Sequence, residues 1–247
     1  MLRRRVMMGT KSMDDYLTFT ALENGTFTLT IPYNLNTDYL TSVSYSLDGG
    51  ATWVTTANAA SQIITITTPT VETGKTVKWK GIGTAYATND GIYGSSFNAT
   101  GRFSVSGNIM SLLFGDNYRR KVEISNSNAF NHLFRGSDKI TDAGNLLLPA
   151  TTLAEYCYAN MFYGCTNLTT APELPATTLA SSCYFQMFCN CTKLNSVTCL
   201  ATDISASYSL RYWLRYTASS GTFTKAAGVS WPTGYSGIPY GWTVVEV

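Results

Sequence analysis

The residues best suited to chemistry are six cysteines, all of which lie between Cys157 and Cys199. Their positions repeat at a spacing of 26 residues, because Cys157 is followed by Cys183 and Cys165 by Cys191. An even number of cysteines is typical of a disulfide framework, but equivalent positions on neighbouring helices lie too far apart for a disulfide. We therefore expect buried thiols that pack as small hydrophobic side chains. One disulfide between non-equivalent cysteines stays open as an alternative.

The other residues with catalytic or metal-binding chemistry do not form a recognisable site. Cys189-x-Cys191 lacks the second ligand pair of a zinc site. His132 is the only histidine, and the close carboxylates are Asp14-Asp15 and the pair of Asp138 and Asp142. These carboxylates fall on a predicted tail and a predicted turn, whereas carboxylate catalysis needs two groups that face each other across a cleft. We therefore predict that the protein is not an enzyme and has no catalytic residue, cofactor or metal.

One local motif resembles a known device. Residues Ser46 to Trp53 fit the pattern S-x-D-x-G-x-T-W, which is similar to the Asp-box of sialidases. In this interpretation Asp48 accepts backbone hydrogen bonds across a tight turn, glycine supplies a positive φ, and Trp53 packs beneath. A single copy is not what a sialidase propeller requires. The motif therefore predicts a stabilised hairpin without a catalytic role.

Short alternating strands fill the first half of the chain after an N-terminal arm over residues 1–15. The predicted strands are separated by turns such as Asp48-Gly49-Gly50, Glu72-Thr73-Gly74 and Asn89-Asp90-Gly91. They cover Leu17–Ala21, Phe27–Ile31, Leu40–Tyr45, Ile63–Thr67, Val77–Lys80 and Phe103–Val105. This spacing favours an immunoglobulin-like β-sandwich over residues 16–106.

The second half, residues 107–247, is built from copies of one 26-residue unit. The sequence from Leu148 to Leu153 recurs from Leu174 to Leu179, and the Met-Phe pair at Met161 recurs at Met187. We place the copies near residues 122–147, 148–173, 174–199 and 200–225, which predicts a solenoid. In each unit, alternation before a proline predicts a strand. Apolar residues four apart, such as those at 179, 183, 187 and 191, predict a short helix. The predicted fold class is thus a two-domain chain, an all-β sandwich followed by a leucine-rich-repeat α/β solenoid.

The repeat resembles a known family. Residues 162–168 and 188–194 fit the pattern F-x-x-C-x-x-L, which is similar to the signature of BspA-type leucine-rich repeats. Proteins with those repeats are surface or adhesive proteins of gut and oral Bacteroidales, treponemes and trichomonads. The Leu-Pro-Ala-Thr-Thr-Leu-Ala version is similar to repeats in proteins of gut Bacteroides and of their phages and prophages. The resemblance implies recognition or adhesion.

Composition narrows the class of partner. The chain is 45% hydrophobic and 13% charged, with a formal net charge of +2. This is typical of a globular protein and gives no electrostatic footprint for nucleic acid. No apolar run is long enough for a transmembrane helix, so we expect no membrane insertion. We also expect no export leader, since the apolar core that would follow Arg3–Arg5 is missing.

We therefore predict a non-enzymatic recognition or adhesion module of a phage virion, such as a head or tail fibre component. Its partner would be a host surface protein or glycan, or other virion proteins, and homo-oligomers stay open. The alternatives are a Bacteroidales cell-surface adhesin and a purely structural capsid decoration protein. Ligand-binding candidates are the positions at which the copies differ and that helical spacing would turn to solvent. These are Tyr156, Asn160, Tyr163, Phe185, Gln186, Arg211, Tyr212 and Arg215.

Overall fold

The computed structural model describes residues 13–59, 62–88 and 93–247, and these residues are mostly β-structure with one short helix. The first eight strands are β1 (Leu17–Ala21), β2 (Phe27–Ile31), β3 (Leu40–Ser46), β4 (Val54–Ala57), β5 (Ile64–Thr67), β6 (Thr76–Gly83), β7 (Ser96–Ala99) and β8 (Phe103–Asn108). The helix α1 (Ser111–Phe114) follows, and then β9 (Ile140–Leu147), β10 (Ser196–Cys199), β11 (Gly221–Lys225) and β12 (Trp242–Glu246).

Two sheets of the first half pack face to face. One has the strand order β4-β3-β6-β1-β8-β9 and is antiparallel except between β8 and β9, and the other has the order β5-β2-β7. Apolar and hydroxyl residues alternate along β2, so Phe27, Leu29 and Ile31 are buried while the threonines between them are half-buried. Aromatic rings join the two layers, with Phe97 of β7 lying 5.0 Å from Phe19 and 4.9 Å from Trp79.

The six predicted strands of the first half are confirmed, whereas β4 and β7 were missed. Strand β4 is exposed along most of its length, so its sequence carries no apolar alternation. The predicted turn at residues 89–91 lies outside the described residues, as does the predicted arm up to residue 12. Asp14 and Asp15, at the end of that arm, are held by Arg119 at 3.4 Å and by Lys78 at 2.6 Å.

The second half stacks parallel segments at a spacing close to the repeat length. Thr170 bridges Asp142 of β9 on one side and Ser196 of β10 on the other. Ser196 then pairs with Thr222 of β11, which in turn pairs with Thr243 of β12. Successive copies are therefore joined edge to edge through parallel backbone pairing. Only the last three segments are long enough to form a separate sheet.

The predicted helix of each unit is wrong. Residues 154–165 and their equivalents form consecutive reverse turns, in which the amide of Met161 donates to the carbonyl of Tyr158 and that of Tyr163 to Asn160. Every fourth residue has a positive φ, as at Tyr156 (55°) and Asn160 (53°). An α-helix allows no such residues and has a period of about 3.6. The four-residue spacing that suggested a helix is the period of this turn segment.

These turn segments are held to one another by backbone hydrogen bonds. The amides that point along the stack donate to the next copy, as from Phe162 to the carbonyl of Met187 (2.9 Å) and from Phe188 to Trp213 (2.9 Å). Buried aromatic rings stack in register, with Phe162 lying 5.1 Å from Phe134 and 5.5 Å from Phe188. Each copy therefore satisfies the backbone polar groups and covers the rings of its neighbour.

The two halves share one core. Strand β8 crosses the predicted boundary at residues 106/107 and pairs with β9 on both sides of it. The amide of Phe97 donates to the carbonyl of Leu133 at 2.8 Å, and the ring of Phe97 stacks on Phe134 at 5.7 Å. Buried residues from both halves belong to a single hydrophobic cluster. The first half therefore covers the beginning of the repeat stack. Whether each half folds alone stays a prediction.

Candidate recognition surface

The last turn segment carries a tyrosine at each of its three left-handed positions. Tyr208, Tyr212 and Tyr216 have φ values of 56°, 57° and 61°. The preceding copy has Ser182, Gln186 and Asn190 there, also at positive φ. A left-handed backbone is unusual for a bulky side chain. Local backbone preference therefore does not account for the tyrosines.

Two arginines lie among these tyrosines. The guanidinium carbon of Arg211 is 5.1 Å from the ring centre of Tyr208 and 5.2 Å from that of Tyr212. That of Arg215 is 5.1 Å from Tyr212 and 4.4 Å from Tyr216. Both arginines therefore lie within the cation–π range of two neighbouring rings.

A later loop completes the cluster by placing Tyr235 5.3 Å from the guanidinium of Arg215. The rings at the rim stay open to solvent, with 61% exposure for Tyr208, 51% for Tyr216 and 56% for Tyr235. We call this cluster the Arg/Tyr surface. It comprises Tyr208, Arg211, Tyr212, Arg215, Tyr216 and Tyr235.

The positive charge of this surface has no carboxylate partner within the described part of the chain. The ion pairs found there involve neither Arg211 nor Arg215. Arg215 donates from one terminal nitrogen to the Tyr216 hydroxyl, while its Nε is buried without a hydrogen-bond partner. Arginine remains protonated in proteins. The surface therefore presents two uncompensated cations to an approaching anion.

A shallow groove runs beside Arg211. It has a volume of about 420 Å³, and its lining includes Tyr208, Tyr212, Ser209 and Ser236. The Ser236 hydroxyl accepts a hydrogen bond from the Tyr212 amide at 3.3 Å, which leaves its own proton free to be donated. The groove thus offers aromatic rings, aliphatic contacts, one cation and a hydroxyl donor.

The eight predicted ligand-binding residues occupy related backbone positions but do not form one site. Four have a positive φ, and each of the others directly precedes such a residue. Of the eight, only Arg211, Tyr212 and Arg215 belong to the Arg/Tyr surface. Tyr156 and Phe185 form a separate edge-on ring pair at 6.4 Å.

Two further candidates make contacts with other residues inside the stack, and one more is half-buried. Asn160 is only 8% exposed and donates to Asn131 at 3.3 Å. Tyr163 accepts a hydrogen bond from Asn190 at 3.0 Å, and Arg135 lies over its ring at 4.7 Å. Gln186 is half-buried at a left-handed turn position.

The predicted set of ligand-binding residues did not include Tyr208, Tyr216 or Tyr235. In the sequence, Tyr208 lies four residues before Tyr212 and Tyr216 lies four residues after it. Their significance depends on the four-residue turn period, which the helical interpretation concealed. Tyr235 is brought to the surface by a loop outside the repeated pattern, so the repeat spacing carried no signal for it.

The six cysteines pack inside the second half of the chain. All six are free and buried, and burial raises the pKa of Cys183 and of Cys199 to about 12. The Cys165 thiol donates to the carbonyl of Phe134 and the Cys191 thiol to that of Phe162, each at 3.0 Å. These thiols therefore join successive copies. The structure has no disulfide among them.

His132 and Asp48, two other residues considered for chemistry, both have lowered pKa values. Burial and the neighbouring Arg135 guanidinium lower the pKa of His132 to about 4. Asp48 accepts from the Thr52 hydroxyl at 2.6 Å and from the Thr52 amide at 2.9 Å, and these bonds hold the pKa of its carboxyl well below the usual range. The indole of Trp53 donates to the Gly50 carbonyl at 3.0 Å, which completes the turn. Within residues 13–59, 62–88 and 93–247, no group of three or more His, Cys, Asp or Glu could hold a metal ion.

Comparison with protein-family models, with curated proteins and with solved structures finds no match for the chain. No helix of the described segments is long and apolar enough to cross a membrane.

Proposed function

We propose that the protein is a non-enzymatic recognition module that binds its partner through the Arg/Tyr surface. The observation that carries this proposal is the presence of two arginines, unpaired with any carboxylate of the described residues, among exposed tyrosine rings. Tyrosine and arginine are the side chains enriched in the energetic centres of interfaces. Tyrosine also offers a large rigid contact area at a low cost in conformational entropy.

The proposed architecture has two parts that support this role. We interpret the first half as an immunoglobulin-like sandwich and the second as a solenoid whose coils contain reverse turns in place of helices. Hydrogen bonds from each copy to the next support the solenoid interpretation. Solenoids commonly expose an extended surface for binding. Here the copies share their buried aromatic column and differ in the side chains at their left-handed positions.

A purely structural role as a decoration protein is the second candidate, and strand β12 favours it. This strand is the last of the order β10-β11-β12 and exposes Val244 and Val245. An edge strand with exposed β-branched residues can pair with another chain. The sequence-based placement in a virion, with the bacterial cell surface as the alternative, stays a prediction that immunogold labelling of purified particles would test.

The experiment for the main proposal is binding of the labelled full chain to intact cells of several gut Bacteroidales species, measured by flow cytometry. We expect binding to at least one species, and at least a tenfold loss of it in the variant Arg211→Gln/Arg215→Gln. Arg135→Gln is the matched control because it lies at the position equivalent to Arg215 in the first copy. Melting temperatures of all variants should agree closely. Binding that survives in the double variant, or no binding to any species, would contradict the proposal.

A further inference from the structure

The groove beside Arg211 has the chemistry of a site for an acidic sugar. We infer that it binds a carboxylate-bearing sugar residue of a glycan, with Arg211 holding the carboxylate and the rings of Tyr208 and Tyr212 contacting the sugar. This inference rests on the proposed recognition function and names the ligand class of the same surface.

The charge of Arg211 supports the assignment of a carboxylate-bearing ligand. Arg211 is exposed, lines the groove, and has no ion-pair partner within the described segments. Its guanidinium is planar and presents two parallel N–H groups at the spacing of the two oxygens of a carboxylate. Arg215 adds a second positive charge behind Tyr212. An anionic ligand is therefore favoured over a neutral one of the same shape.

The remaining lining favours a sugar over an acidic protein segment. The aliphatic members of the lining are Ile204, Ala206, Leu210 and Pro232, and of these only Pro232 is exposed. The tyrosine rings, Arg211 and Ser236 therefore supply much of the surface that a ligand would meet. Protein interfaces usually have an apolar centre that excludes water. A sugar instead presents C–H groups to an aromatic ring and hydroxyls to polar groups, and Ser236 and the tyrosine hydroxyls supply hydrogen-bonding partners. The groove volume of about 420 Å³ falls in the range of small-ligand sites, about 300–1,000 Å³.

Arg215 has a different role, since its Nε is buried and its guanidinium lies among the rings of Tyr212, Tyr216 and Tyr235. It is a positioning residue that fixes the ring orientations while adding charge. Its replacement should weaken the binding of acidic and of neutral sugars. Replacement of Arg211 should remove only the preference for the acidic one.

The test is a glycan array followed by calorimetry with matched pairs. The array carries uronate- and sialate-containing oligosaccharides, each beside its carboxyl-reduced counterpart, and a hexaglutamate peptide represents an acidic protein. The full chain should bind at least one acidic sugar at least tenfold more tightly than its reduced partner, because a hydrogen-bonded charge contributes that much or more. Arg211→Gln should abolish this ratio, and Arg211→Lys should restore part of it. Arg135→Gln should leave it unchanged.

Several outcomes would overturn the inference. They are equal affinity for acidic and carboxyl-reduced sugars, affinity for hexaglutamate that matches the best sugar, binding of no acidic glycan, and an acid preference that survives in Arg211→Gln. The recognition function is judged separately on cells. If Arg211→Gln/Arg215→Gln loses cell binding while no acidic sugar is bound, the surface still recognises a partner and only its assignment to acidic sugars is wrong.

Discussion

Truncation of Phe162 to alanine tests how the repeat stack is held together. The Phe162 ring is fully buried and stacks on two others, at 5.1 Å with Phe134 and at 5.5 Å with Phe188. Removal of a buried phenylalanine costs about 3–5 kcal/mol, and each lost ring pair adds about 0.5–1.5 kcal/mol beyond the buried area. We therefore expect a loss near the upper end of that range, about 5 kcal/mol. Native proteins have only about 5–15 kcal/mol in total.

Urea unfolding followed by tryptophan fluorescence and by far-UV circular dichroism measures this loss. Because Phe97 of the first half stacks on Phe134, and β8 pairs with β9, we expect the two halves to unfold together with coincident transitions. The control is Ile63→Ala at an exposed position, which should change the unfolding free energy by less than about 0.5 kcal/mol. A loss below about 1 kcal/mol would refute the stacking argument. A protease-resistant fragment that ends near residue 107 would instead support the two independent domains predicted from the sequence.

Three further predictions concern the groups with shifted pKa values. Asp48→Asn should lower the urea midpoint at pH 7, and the difference from wild type should narrow below about pH 4, because a carboxyl with a depressed folded pKa stabilises only while it is ionised. The folded pKa of His132 is about 4, so below about pH 6.5 the unfolded chain binds more protons at this residue than the folded chain does. The urea midpoint should therefore decrease as the pH is lowered from about 6.5 to about 4. His132→Asn, which keeps a residue suited to the left-handed backbone, should not show this decrease. The six buried thiols should not react with Ellman's reagent in the native protein and should release six equivalents in denaturant, whereas a smaller number would reveal a disulfide.

Much of the first half was predictable because strands such as β2 and β6 alternate between buried and half-buried positions. In β2 the alternation of apolar and hydroxyl residues corresponds directly to buried and half-buried positions. Strand β4 lacked this signal because it is exposed. The Asp-box interpretation was correct in its hydrogen bonds because all of its partners lie within eight residues of sequence.

The repeat length was predictable, whereas the local conformation within the repeat was not. Apolar residues at intervals of four positions come close to the period of a helix. Residues such as Tyr156 and Tyr212 also have no intrinsic preference for the positive φ that they adopt. Backbone hydrogen bonds join these turns to the neighbouring copies, so the interactions that accompany this conformation lie outside the single copy. The same error produced a candidate set that does not form one site, because helical spacing placed Asn160 and Tyr163 on one solvent face together with Arg211.

Photo-crosslinking tests the central claim most directly, because it shows which part of the stack touches the partner. A benzoylphenylalanine is introduced in place of Tyr208 or, as the matched position two copies earlier, in place of Tyr156, since both are exposed and left-handed. After irradiation on intact cells that bind the chain, we expect covalent adducts with cell-surface material from position 208 and none from position 156. Adducts from position 156 alone, or equal amounts from both, would contradict the assignment of recognition to the Arg/Tyr surface.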